Sequence, residues 1–161
     1  MKNAPSFLGY SRLSAEVTAG AADHREQIDL STEYPSTLQP PAGGPSDLSV
    51  PRHRNLLGPN QWPAEAALPG FRATFTEYME RMGGVAARFT ALVAEAVGLP
   101  ADAFARYFDD DPAAGRRQQH KLKVVRYPDA AELGLPEGTA LQGQGVGPHK
   151  DSMLTSYLLQ A

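Results

Sequence analysis

Eight of the 14 prolines in this 161-residue chain fall between Pro35 and Pro69, with Gly43, Gly44 and Gly58 among them. A proline lacks the backbone N–H, so a segment this rich in it cannot supply the hydrogen bonds of a helix or of a central strand. The chain is thereby divided. A polar lead-in precedes the break and all long regular elements must follow it. The lone tryptophan, in "GPNQWP", lies inside the break. A free linker has no use for a large anchoring aromatic, so residues 35–69 read as a long loop wrapped on a scaffold. Asn60, Trp62 and Pro63 are expected to anchor that loop and to take no part in chemistry.

The strongest periodicity follows at once. In "PGFRATFTEYMERMGGVAARFTALVAEAVG" the apolar positions Phe71, Phe75, Tyr78, Met79, Met82, Val85, Ala86, Phe89, Leu92, Val93 and Val97 fall on one helical face. Pro69 suits a first turn and Gly98 a C-terminal cap. Gly83 and Gly84 weaken the middle by about 1 kcal/mol each relative to alanine, and point to close packing there. The apolar stripe is expected to be core. A short second helix is expected over "PADAFARYF". The acidic triplet Asp109–Asp111 reads as a solvated turn before Pro112.

Beyond it the pattern changes to β. "KLKVVRY" (121–127) alternates, is β-branched and is ended by Pro128. Residues 128–148 carry five glycines and three prolines and read as loop. Residues 149–161 read as a strand. The order of elements predicts an α+β, mainly β architecture in three parts. These are a loop-rich lead-in and wrap (1–68), helical support (69–108) and a β region (109–161).

Composition removes several functions. There is no cysteine, hence no disulfide, thiolate metal site or cysteine nucleophile. A net charge of −3 offers no basic footprint for nucleic acid. No apolar run of about 18 residues spans a membrane and the N-terminus has no secretory pattern, so the expected location is cytoplasmic. Any metal must be held by His, Asp or Glu.

Four histidines are present: His24, His53, His120 and His149. The first three sit in polar or strand-flanking contexts and are expected to have ordinary hydrogen-bonding roles. His149 differs because Asp151 follows it at i+2. On a strand these positions share a face, which sets an imidazole beside a carboxylate. That is two-thirds of the triad that holds non-haem Fe(II) while leaving sites open for O2 and substrate. Spacing alone leaves a surface pair open.

Five segments in order resemble the isopenicillin N synthase-like family of Fe(II)- and 2-oxoglutarate-dependent oxygenases. "FLGYSRLSAEVTAGAADHREQIDL" is similar to the family's "GY" region with its "D-x-R/K-E". "NLLGPNQWP" is similar to its "N-x-W-P" loop, and residues 69–100 to its long helix. "LKVVRYP" is similar to its "R/N-Y-P" strand end. "GVGPHKDSMLTSYLLQ" is similar to the strand bearing two iron ligands.

The resemblance implies part of a double-stranded β-helix, or jelly-roll, backed by a long helix. It makes His149 and Asp151 iron ligands, with Fe(II) as cofactor and 2-oxoglutarate as co-substrate. The implied activity is dioxygenase oxidation of a small molecule by O2. Tyr127 matches a position that reaches a co-substrate or substrate carboxylate, though a strand-end packing role stays open for it. Arg126 is expected to be an exposed strand charge. The family's third ligand, a histidine, and its oxoglutarate-binding arginine have no match here. The chain is therefore expected to be an internal fragment, inactive and poorly stable by itself. Alternatives within the class are an isopenicillin N synthase-type or ethylene-forming oxidase. Outside it stands a truncated, non-catalytic relative that binds a partner or has no function.

Overall fold

The computed structural model describes residues 6–34, 56–108, 118–134 and 145–160. The proline-rich residues 35–55, with His53, lie outside them, as do Asp109–Asp111 and residues 135–144 of the expected loop. The chain divides into two compact units, Met1–Gln61 with Leu122–Leu154, and Trp62–Lys121 with Thr155–Ala161.

The first unit is built on a three-stranded sheet in the order β1 (Gly9–Ser11), β4 (Glu26–Ser31), β5 (Lys121–Arg126). β1 runs antiparallel to β4, with Tyr10 opposite Ile28. Lys123 pairs with Asp29 and Arg126 with Glu26. The two ion pairs step in opposite directions along β4 and β5, as antiparallel neighbours require. A two-stranded ribbon, β2 (Val17–Thr18) and β3 (Ala21–Ala22), lies between β1 and β4 in sequence. Ala19 and Gly20 join it, with φ of 53° and 86°. Positive φ at both central residues is the turn whose twist suits a two-residue hairpin.

Among the described residues, the apolar core of this unit is small: Leu8, Leu30 and Tyr34. Ser6, Ser11, Asp23, Gln27 and Asn60 are buried with them. Asn60 extends the sheet with its side chain. Its Oδ1 accepts from Ser31 N–H and its Nδ2 donates to Ser31 O, both at 2.8 Å. This is the pairing a neighbouring strand would make, and it accords with the anchoring role expected for Asn60.

In the second unit α1 spans Phe71–Ala96. Its start departs from expectation: Pro69 lies in the preceding turn, and Gly70 is the N-cap with φ 76°. Its end follows expectation. Gly98 has φ 79°, its N–H bonds Glu95 O, and Leu99 N–H bonds Ala94 O, both at 2.9 Å. That bond pair is the Schellman closure, which glycine permits at no steric cost. Trp62 packs edge-on against Phe71, with centroids 6.3 Å apart.

Gly83 is packed, though against the His120 ring, where a Cβ would come within 3.3 Å of Nε2. The apolar stripe is not core. Among described helical residues only Ala94 is buried, and Val85, Phe89 and Leu92 are 48%, 45% and 60% exposed. A 3.6-residue period identifies an apolar face without supplying what covers it. "PADAFARYF" forms turns and one 3-10 turn, Ala105–Tyr107, in place of an α-helix. Residues 149–160 form no strand, because alternation favours extended chain but only a ladder partner makes a strand. The architecture is α+β, a small sheet and one long helix.

Candidate metal centre

The site residues named from sequence all lie in the first unit. β5 delivers Tyr127 just past Arg126, and the 145–151 segment delivers His149 and Asp151. Gly145 is needed where these meet: a Cβ there would fall 2.9 Å from the Tyr127 ring. Arg126 has a structural commitment, bonding Glu26 at 2.8 Å and also Glu132.

His149 and Asp151 are brought together without a strand. His149 Nδ1 lies 2.8 Å from Gly147 O. A carbonyl oxygen only accepts, so in the neutral ring Nδ1 carries the proton and Nε2 the lone pair. That lone pair faces Asp151 Oδ1 at 3.3 Å. Two acceptors aimed at each other repel unless a cation lies between them. A proton would serve, and so would a metal ion. Two ligand atoms each about 2.1 Å from a metal and at right angles to each other lie about 3 Å apart, close to the spacing found. Anchoring the second ring nitrogen on a backbone carbonyl is the usual way a metal-binding imidazole is oriented. The donor set fits a divalent ion with open positions. Among the described residues no third His, Asp, Glu or Cys joins the pair. Both side chains are about half exposed, 48% and 63%, so as an ion pair they contribute little stability.

His24 and His120 do not contribute. His24 Nδ1 lies 3.4 Å from Ser14 Oγ, and the His120 ring packs against Gly83.

Beside the pair lies a buried polar cluster to which the sequence reading gave no role. Arg25 bonds Glu16 at 2.8 Å and Asp23 at 3.3 Å. Gln27 donates to Glu16 at 2.9 Å and to Asp29 at 2.7 Å. Burial opposes the charge on Arg25, and bonds to Tyr127 and Glu16 with the Asp23 charge outweigh it, raising its pKa. Asp23 is fully buried. It accepts from Thr18 Oγ1 at 2.7 Å and from Gly147 N–H at 3.3 Å. The sequence signal was present in "DHREQ", but a buried carboxylate and an exposed one read alike without the fold. On the opposite face of the sheet, Tyr10 and Arg126 both bond Glu26. The Tyr10 hydrogen bond, then Arg126, lowers the Glu26 pKa, and the same bond raises that of Tyr10.

No family model matches the chain. Curated relatives do. The chain is 60% identical over all 161 of its residues to a 2-oxoglutarate-dependent dioxygenase, frbJ, of Dothideomycetidae sp. (strain 11243). The chain resembles part of a 2-oxoglutarate-dependent dioxygenase. A second protein of that name, from Gibberella zeae, is 34% identical over 96% of the chain. A homoarginine-6-hydroxylase of Glycine max is 26% identical over 99%. The chain spans 38%, 36% and 43% of these three proteins. Two of these curated relatives are thus named 2-oxoglutarate-dependent dioxygenases. Among the described residues no helix is long and apolar enough to cross a membrane.

Proposed function

We propose that this chain is a segment of an Fe(II)- and 2-oxoglutarate-dependent oxygenase of the isopenicillin N synthase-like type. Within it, His149 and Asp151 are two of the iron ligands. The observation that carries the reading is His149 Nε2 set 3.3 Å from Asp151 Oδ1, with Nδ1 engaged by Gly147 O. Identity to named dioxygenases along the whole chain favours a metal ion over a proton between them.

When bound, Fe(II) would activate O2, which is the oxidant, and 2-oxoglutarate would supply two of the electrons that O2 reduction requires, so that a small-molecule substrate could be oxidised. The chain's own residues prepare that chemistry. His149 presents Nε2 because Gly147 O holds its Nδ1 proton. Asp151 adds an anionic oxygen beside it. Tyr127, whose ring packs over Gly145, is the residue of this segment that reaches a co-substrate or substrate carboxylate. The sheet is the beginning of a jelly-roll, and the exposed Val85, Phe89 and Leu92 are covered by the further length that the relatives possess. The protein acts in the cytoplasm.

Anaerobic Fe(II) titration of the chain tests the ligand assignment. Wild type is expected to bind iron at least ~10-fold more tightly than Asp151→Ala or His149→Ala, as loss of a ligand or its support commonly costs. Equal affinity in all three would overturn it.

A further inference from the structure

A fully buried carboxylate is costly and persists only where it is well paired. Asp23 is such a group, and it sits outside the ligand pair yet one bond from the segment that bears it. We propose that Asp23 is a positioning residue for the metal ligands, its carboxylate fixing Gly147 so that Gly147 can fix the His149 ring. The inference rests on His149 and Asp151 being ligands.

The connection is short. Asp23 Oδ1 accepts the Gly147 N–H at 3.3 Å, and Gly147 O accepts from His149 Nδ1 at 2.8 Å. Gly147 is itself buried and is held at both its polar atoms. Asp23 in turn cannot drift. Thr18 Oγ1 and Arg25 Nη2 hold its Oδ2, at 2.7 and 3.3 Å. Its N–H donates to Glu16 O and its carbonyl accepts from Arg25 N–H, each at 2.9 Å. The β2–β3 ribbon therefore acts as a post to which the metal-binding segment is tied. A glycine-rich segment with His149 and Asp151 about half exposed has little apolar burial to order it, so the tie decides where Nε2 points. The rotamer entropy of that segment is then spent in folding and not at metal binding, which is how an outer group raises metal affinity without touching the metal.

The test reads the His149 ring directly. In the metal-free chain at about pH 8.5, where a free imidazole is neutral, 15N NMR reports which ring nitrogen bears the proton. Wild type is expected to hold the Nδ1–H form. Asp23→Ala is expected to release His149 to a mixture dominated by Nε2–H. Asp23→Asn, which keeps an acceptor for Gly147 N–H, restores the wild-type form. Leu30→Ala, which removes buried core elsewhere in the unit, leaves the tautomer unchanged. If Asp23→Ala does not fold, Thr18→Val loosens the same carboxylate and shifts the tautomer in the same direction. An Nδ1–H form that survives Asp23→Ala or Thr18→Val, or a shift of equal size in Leu30→Ala, overturns the proposal.

Fe(II) titration separates it from the reading it rests on. Asp23→Ala is expected to weaken binding ~10-fold or more, with Asp23→Asn recovering most of the loss. Weakening by Asp151→Ala with none by Asp23→Ala removes the positioning role alone. No weakening by Asp151→Ala removes both.

Discussion

The two units are stabilised in different ways. In the sheet unit, hydrogen bonds and ion pairs carry much of the internal organisation: five described polar residues are buried against three apolar ones. In the helical unit a single element of 26 residues closes its own backbone bonds, caps its end with glycine, and leaves its apolar face half-buried or exposed. A buried polar network tolerates little, because removing one member strands its partners without water. An exposed apolar face tolerates much. The candidate metal centre belongs to the intolerant unit, which gives it a defined geometry despite its exposure.

That contrast can be broken most forcefully at Asp23. Asp23→Ala leaves Arg25 short of a counter-charge in a buried setting and is expected to destabilise the sheet unit by about 3 kcal/mol or more. Urea unfolding followed by Tyr34 or sheet signals measures it. A loss below about 1 kcal/mol, the scale of an ordinary hydrogen bond, would show the network to be incidental. Asn60→Ala comes next. It strands both polar backbone atoms of Ser31, at a cost of roughly 1–3 kcal/mol.

On the helical side effects should be smaller. Gly98→Ala forces a Cβ into a φ of 79° and should cost about 1 kcal/mol of helix stability, seen as lower ellipticity at the onset of melting. Leu92→Ala, at a residue 60% exposed, is expected within about 0.5 kcal/mol of wild type. A loss of about 2 kcal/mol or more, as buried leucines give, would mean that the face is covered in solution.

The smallest effect concerns pH. Glu26 has a lowered pKa in the folded chain, so its contribution is complete above the ordinary value of 4.5 and is lost as pH falls through the lowered one. Tyr10 is raised from 10.0, so its contribution is present below that value and is lost as pH rises through the raised one. Glu26→Gln should flatten the acid side of the stability profile. An unchanged acid limb would remove Glu26 from the account.

Much of the helix was legible, because a 3.6-residue period and a glycine cap are local signals. Its start was misplaced by a turn residue, Gly70, that outranked Pro69. β5 was legible from its alternation. The strands β1 to β3 were not, since elements of two or three residues have no period to read and are fixed by their partners; nor was the six-residue β4, a largely polar run, "EQIDLS". The region 149–160 shows the converse: alternation without a ladder. The adjacency of His149 and Asp151 was expected from strand geometry and arises instead from a ring tethered to Gly147 O. Tyr127 was singled out by its place in "RYP", whereas its packing against Gly145 has no local signature.

The proposed pairing of His149 and Asp151 on one metal ion can be read residue by residue. Substoichiometric Mn(II), which broadens nuclear resonances near its binding site, tests it directly when added to isotope-labelled full chain. The His149 ring and Asp151 side-chain signals are expected to disappear first, while those of His24 and His120 persist, and Asp151→Ala is expected to abolish the selectivity. Broadening that is uniform across the histidines, or strongest at His24 or His120, would contradict it.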